Sequence, residues 1–121
     1  MRLGIAGGRE FRHPFIVDRA VAFASSSASW VDITEVVTGG APGIDELAEV
    51  WAATMGYPVT TFPADWKTYG RAAGPKRNEQ IADYIDALLA IPGRGTGTRD
   101  MIRRARAREL PVWIYEAAGR A

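Results

Sequence analysis

Four times in this chain a short apolar run gives way at once to a loop rich in glycine or proline, and a helical pattern follows. Arg2 to Ala6 runs into Gly7-Gly8, Ile33 to Thr38 into Gly39-Gly40, Val59 to Phe62 into Pro63, and Ala87 to Ile91 into Pro92-Gly93. A fifth run, Val112 to Tyr115, closes the pattern. Between the runs, Pro14 sits at the first position of a helix carrying Phe15, Ile16, Ala20, Phe23 and Ala24, with serines from Ser25 onward at its end. Ile44, Leu47, Ala48, Trp51 and Met55 recur at helical spacing, and Gly56 suits a left-handed residue just past the last turn. Lys76 to Tyr84 and Thr98 to Arg108 are the remaining helices, and residues 63–75 form a long loop of the kind that is usually functional.

Strands that alternate with helices predict a parallel sheet covered on both faces, which also explains why the apolar runs lack strict alternation. Right-handed crossovers leave few arrangements. The expected fold is α/β: a single Rossmann-like three-layer domain over residues 1–121, with five parallel strands in the order 3-2-1-4-5. In such a sheet every loop that follows a strand lies at the same carboxyl rim, where ligands bind at the point of order reversal. Gly7-Gly8-Arg9, Gly39 to Asp45, residues 63–75 and Pro92 to Thr98 all converge there.

Composition removes several function classes. The absence of cysteine excludes disulfides, thiolate metal sites and a cysteine nucleophile, and a single histidine, His13, excludes a multi-histidine zinc site. His13 beside Pro14 reads as a helix-start residue. No apolar run approaches the ~20 residues of a membrane span, and no signal-peptide pattern opens the chain, so a cytoplasmic location is expected. The net charge of +1 conceals an uneven split: residues 1–60 carry 4 basic and 7 acidic side chains, residues 61–121 carry 11 and 7. That bias suits a phosphate-bearing small molecule and is too weak for duplex DNA. The basic residues are 13 Arg and 2 Lys, a usage expected of a GC-rich genome and also of bidentate phosphate contacts.

Two loops have the chemistry of an anion site. In Thr38-Gly39-Gly40-Ala41-Pro42-Gly43-Ile44-Asp45, glycines let the backbone approach a ligand, and the helix N-terminus adds a positive dipole. The same segment also reads as a tight strand-to-helix turn with Asp45 complementing the dipole. Pro92-Gly93-Arg94-Gly95-Thr96-Gly97-Thr98 offers closely spaced donors before a helix, or a flexible turn capped by Thr98. Neither loop is a Walker A or a dinucleotide fingerprint. Arg9, Arg71 and Arg77 supply cations at the rim or are ordinary surface charge, and Lys76 reads as solvated surface charge; Trp66 and Tyr69 offer flat faces to a base or anchor the loop. The run from Arg103 to Arg108 reads as a solvated helix face.

In order and spacing these segments resemble a known family. Gly7-Gly8-Arg9-x-Phe11, Thr38 to Ala48 with Trp51-Ala52, Pro63-Ala64-Asp65-Trp66, Tyr69-Gly70, Ala73-Gly74-Pro75 with Arg77-Asn78, and Pro92-Gly93 with Gly97-Thr98 and Asp100-Met101 are similar to the YspA (cpYpsA-related) branch of the SLOG superfamily. Its relatives include the LOG phosphoribohydrolases, which split a nucleoside monophosphate into base and ribose 5-phosphate, and the DprA DNA-processing proteins. Some members are sensors or effectors in conflict systems, phage-related ones among them. The resemblance implies a nucleotide or nucleotide-derived ligand, held by Gly7, Gly8, Arg9, Gly39, Gly40, Gly43, Asp45, Asp65, Trp66, Arg77, Asn78, Gly93, Arg94, Gly95, Thr96, Gly97 and Thr98.

The expected role is that of a ligand sensor or effector domain. The alternative is a phosphoribohydrolase-like enzyme. Carried over from LOG enzymes, Arg77 would hold the phosphate and Asp100 would stabilise the oxocarbenium character that builds as an N-glycosidic bond breaks. LOG enzymes have Glu where this chain has the shorter Asp100. Arg94 replaces the second glycine of their loop, which is here one residue longer, and Pro42 stands where the YspA pattern often has Arg. A second alternative is DprA-like binding of single-stranded nucleic acid, against which the small net charge and the lack of interleaved aromatic and basic residues argue. No cofactor and no metal are required, although Mg2+ could accompany a phosphate. By analogy with LOG relatives, a homodimer is expected.

Overall fold

The computed structural model describes residues 1–117. Strands β1 (Arg2–Gly7), β2 (Glu35–Thr38), β3 (Val59–Thr61), β4 (Ala87–Ile91) and β5 (Val112–Ile114) form one sheet, all neighbours parallel, in the order β3-β2-β1-β4-β5. The expected order and parallel pairing are therefore present. Helices α1 (Ile16–Ser25) and α2 (Ile44–Met55) cover one face, and α4 (Ala73–Tyr84) and α5 (Gly97–Ala107) the other. A short helix, α3 (Trp66–Tyr69), and a 3-10 turn (Gly70–Ala72) precede α4.

The two faces share out the strand side chains by simple alternation. Leu3, Ile5, Val36, Leu89 and Ile91 pack under Ile16, Val17 and Ala20 of α1 and Ile44, Ala48 and Trp51 of α2. Val37, Leu88 and Ala90 point the other way, under Ile81 and Ala82 of α4 and Met101, Ile102 and Ala105 of α5. All five β4 residues are buried, which is why that strand reads as an unbroken apolar run. Alanines at the helix contacts (Ala20, Ala24, Ala48, Ala105), each with no exposed surface, let the helices sit close to the sheet.

Three boundaries differ from expectation for identifiable reasons. Strand β2 starts at Glu35, not Ile33, because its partner β1 begins at Arg2, which pairs with Glu35. Helix α1 starts at Ile16, two residues after Pro14: His13 arrests the chain there, its carbonyl accepting from Ile16 N–H (3.3 Å) and its Nδ1 from Phe15 N–H (3.2 Å). The segment 63–75 is not one long loop: only residues 63–65 are irregular. Asp65 caps α3 by accepting the Thr68 N–H at 3.1 Å, and α4 already begins at Ala73. Pro75 lies in the first turn of α4, where a missing N–H costs nothing, so the proline does not stop the helix. The remaining ends agree within one residue.

Among the described residues, no helix is long and apolar enough to cross a membrane.

Candidate functional site

Three strand-to-helix connections are stitched together at the carboxyl rim. Gly8 N–H donates to Ile91 O (3.0 Å), binding the end of β1 to the end of β4, and Ile44 N–H donates to Gly8 O (3.2 Å), tying the start of α2 to the same point. Gly43, with φ 83°, makes this approach feasible: any Cβ there would be strained and would meet the Gly8 carbonyl and Arg9 backbone.

A cavity of about 160 Å³ opens beside this junction, on the α4/α5 face of the sheet. It is lined by Ile5, Val37 and Leu88 of the sheet, by Gly7, Gly8, Arg9 and Glu10 at and after the end of β1, by Gly39, Ala41 and Asp45 after β2, by Arg77, Asn78 and Ile81 of α4, and by Gly95, Gly97, Thr98 and Met101 around the start of α5. The cavity stands at the order reversal between β1 and β4, the position at which parallel α/β sheets take ligands.

The charged groups are held in fixed poses. Arg77 lies flat against Gly39: its Nη1 donates to Gly39 O (2.8 Å) and its Nε to Asn78 Oδ1 (3.0 Å). A β-carbon at Gly39 would collide with the guanidinium, so the glycine is the platform for the arginine. Burial lowers the Arg77 pKa, Asp45 opposes that, and the like charge of Arg9 lowers it further. Asp45 is 6% exposed, and its Oδ2 accepts the N–H groups of Gly39 (3.1 Å) and Ala41 (3.2 Å). Burial drives its pKa up to about 6, against the pull of those N–H groups and Arg77 and with a push from Glu49. Thr98 is also more than nine-tenths buried, and its hydroxyl has no hydrogen-bond partner among the described residues.

Glu10, unnoticed in the sequence, sits against the other glycine loop. Its Oε2 accepts the Arg94 N–H at 2.7 Å, and the carboxylate rests on the α-carbons of Gly8 and Gly93. Hydrogen bonds from its own N–H and from Arg94 hold its pKa below the usual range, against weak desolvation. No local pattern signals this contact, because its partner is 84 residues away.

Of the anticipated site residues, Gly7, Gly8, Arg9, Gly39, Asp45, Arg77, Asn78, Gly95, Gly97 and Thr98 line the cavity. Gly40, Gly43, Asp65, Trp66, Gly93, Arg94, Thr96 and Asp100 do not. Asp65 caps α3, and Trp66, half exposed, lies against Gly74. Tyr69 carries Lys76 over its ring, 4.7 Å from the centroid, so that lysine is engaged in a cation–π contact. Thr98 is not the cap of α5; Thr96 stands there, with no side-chain hydrogen bond.

Asp100 accepts from Asn78 Nδ2 (2.9 Å) and Arg104 Nε (2.9 Å), and pairs with Arg103. Burial pushes its pKa up, but the Arg104 and Asn78 hydrogen bonds and the two arginines outweigh this and hold it low. Arg104 and Arg108 both pair with Glu79, and Arg108 Nε also donates to Asp83 at 2.9 Å. These two arginines are therefore the fastening between α4 and α5, whereas a solvated face was expected from the run; Arg106 remains exposed. Among the described residues no group of three or more His, Asp or Glu side chains is placed to hold a metal ion.

Comparison with known proteins places the chain. It is 43% identical over 84 residues to the Gene 61 protein of Mycobacterium phage D29, an alignment covering 64% of this chain and 67% of that relative. A model of the YspA, cpYpsA-related SLOG family matches residues 1–69, a stretch containing β1, β2, β3 and the two connections that bring Arg9, Glu10, Gly39 and Asp45 to the rim. With more than half of its length matched and the sheet order such a fold requires, the chain belongs to the YspA, cpYpsA-related SLOG family.

Proposed function

We propose that the rim cavity binds a nucleotide or nucleotide-derived ligand through its phosphate, and that the protein acts as a ligand sensor or effector domain. The observation that carries this reading is the pairing of two cations, Arg77 and Arg9, on one small cavity wall beside the first turn of α5. Like charges are kept adjacent at a cost, and an incoming anion relieves it. The free hydroxyl of the buried Thr98 and the amide groups at the start of α5 supply the hydrogen bonds a phosphate needs. At about 160 Å³ the cavity is below the ~300 Å³ typical of pockets that enclose a drug-sized ligand, which suits a phosphoryl or phosphosugar end held inside and the remainder held outside.

Binding without cleavage is favoured over phosphoribohydrolase-like turnover by the position of Asp100. Its carboxylate is engaged by Asn78, Arg103 and Arg104 and lies outside the cavity wall. The test is ligand-observed NMR on the purified protein with AMP, GMP, CMP, UMP, NAD and ADP-ribose. One of these broadens without releasing free base, and the broadening disappears in Arg77→Gln. Free base that accumulates with the wild type and not with Asp100→Asn overturns the binding-only reading. No response from any of the six overturns the nucleotide reading.

A further inference from the structure

The glycines at positions 8 and 93 create room at the rim, and the group that fills it is the protein's own. A β-carbon at either position would strike the Glu10 carboxylate. Glu10 arrives from the β1 connection, crosses to the β4–α5 loop and takes the Arg94 N–H at 2.7 Å, with Arg94 Nε 4.0 Å from the same oxygen. An anion on a backbone N–H in a glycine-rich loop is the arrangement by which such loops hold phosphate. We infer that Glu10 is a built-in counterion that occupies the β4–α5 loop and competes with an anionic ligand for it, so that Glu10 determines where on the rim a phosphate can bind.

Several features support a replaceable rather than a structural anion. The Glu10 side chain keeps 33% of its exposure and belongs to the cavity wall, so it can swing to solvent without opening a buried void. Arg94, 93% exposed, has no other side-chain partner among the described residues to hold it and can follow an incoming phosphate. With Glu10 in place, the Arg94 N–H is taken and a negative charge faces the cavity, leaving an anion only the Arg77, Arg9 and Thr98 side. The wild-type site is thereby selective for a ligand that brings one anionic group to that side and a hydroxyl or amine donor to the Glu10 side. This inference rests on the anion-binding reading above and is separable from it.

The experiment is a titration of 15N-labelled protein with inorganic phosphate, followed by amide shifts in the wild type and in Glu10→Gln, which keeps an acceptor for the Arg94 N–H and removes the charge. In the wild type the amides of Gly97, Thr98 and Arg99 move and that of Arg94 does not. In Glu10→Gln the Arg94 and Gly95 amides join them, with apparent phosphate affinity about tenfold higher. Glu10→Asp, whose shorter arm withdraws the carboxylate from Arg94, shows a smaller gain of the same kind and serves if the first variant folds poorly. Equal phosphate affinity in wild type and both variants, or an Arg94 amide that already responds in the wild type, overturns the inference. A wild type in which Gly97 to Arg99 do not respond overturns the anion-binding reading instead, and the gain at Arg94 in Glu10→Gln still decides the role of Glu10.

Discussion

The two glycine-rich connections at the rim solve one problem in opposite ways. Each presents backbone N–H groups, and each has a carboxylate on them. At the β2–α2 connection the carboxylate is Asp45, from the first turn of the following helix, buried, with its pKa raised to about 6. At the β4–α5 connection it is Glu10, from a distant loop, solvent-exposed, with its pKa lowered. The chemistry of the contact is the same, so solvation determines the difference in sign. A buried carboxylate on its own loop shapes the backbone; an exposed one borrowed from elsewhere can be exchanged for a ligand.

The sharpest way to break this comparison is to remove each carboxylate in turn. Asp45→Ala leaves the Gly39 and Ala41 N–H groups without an acceptor and Arg77 without its nearest counter-charge, and is expected to cost about 2–4 kcal/mol in a urea unfolding titration. Glu10→Ala leaves the unfolding midpoint close to wild type. Equal losses from the two would abolish the distinction.

Proton linkage gives the next largest effect. The Asp45 pKa rises from 3.8 in the unfolded chain to about 6 in the fold, so between those values the folded state holds the extra proton. Its contribution to stability is complete below about pH 4 and is lost as pH rises through about 6. The loss is on the order of 2–3 kcal/mol. Stability curves measured from pH 4 to pH 8 should show this decline on top of the other titrations, and Asp45→Asn should remove it and be the more stable protein above pH 6.

Two smaller tests follow. Gly39→Ala places a methyl where the Arg77 guanidinium lies and is expected to weaken phosphate binding about tenfold, or 1.4 kcal/mol, read by the same amide titration. Arg108→Ala loosens α4 from α5 without touching the cavity; its effect on the unfolding midpoint is small and shrinks in about 1 M salt, where charges are screened beyond ~3 Å.

What was legible in the sequence was whatever depends on neighbours along the chain. Helix α2 is bounded as its spacing predicts, from Ile44 to Met55 with Gly56 in the left-handed conformation beyond it. The convergence of the connections after β1, β2 and β4 on one rim follows from strand alternation alone. Arg77 and Asp45 were legible as candidates, but their partners were not: Arg77 lies on a carbonyl 38 residues away, and Asp45 turns back onto the loop that was expected to serve a ligand. Arg104 and Arg108 read as surface charge because Glu79 and Asp83 belong to another helix. The first residues of α4, Ala73 to Pro75, read as the end of a long loop because glycine and proline punctuate it, although a proline in the first turn of a helix is harmless.

The flat seat of Arg77 on Gly39 has a consequence for how this sequence can drift. Positions 39 and 77 constrain one another through this contact. A side chain at 39 must displace the Arg77 guanidinium from its seat, and a smaller residue at 77 removes that clash. Substitutions at the two sites are therefore not independent, and a double-mutant cycle between them should leave a residual well beyond the sum of its parts. Among relatives, loss of the arginine should be accompanied by relaxation at the glycine, which turns one contact in one molecule into a marker for descendants that have given up the cavity's cation.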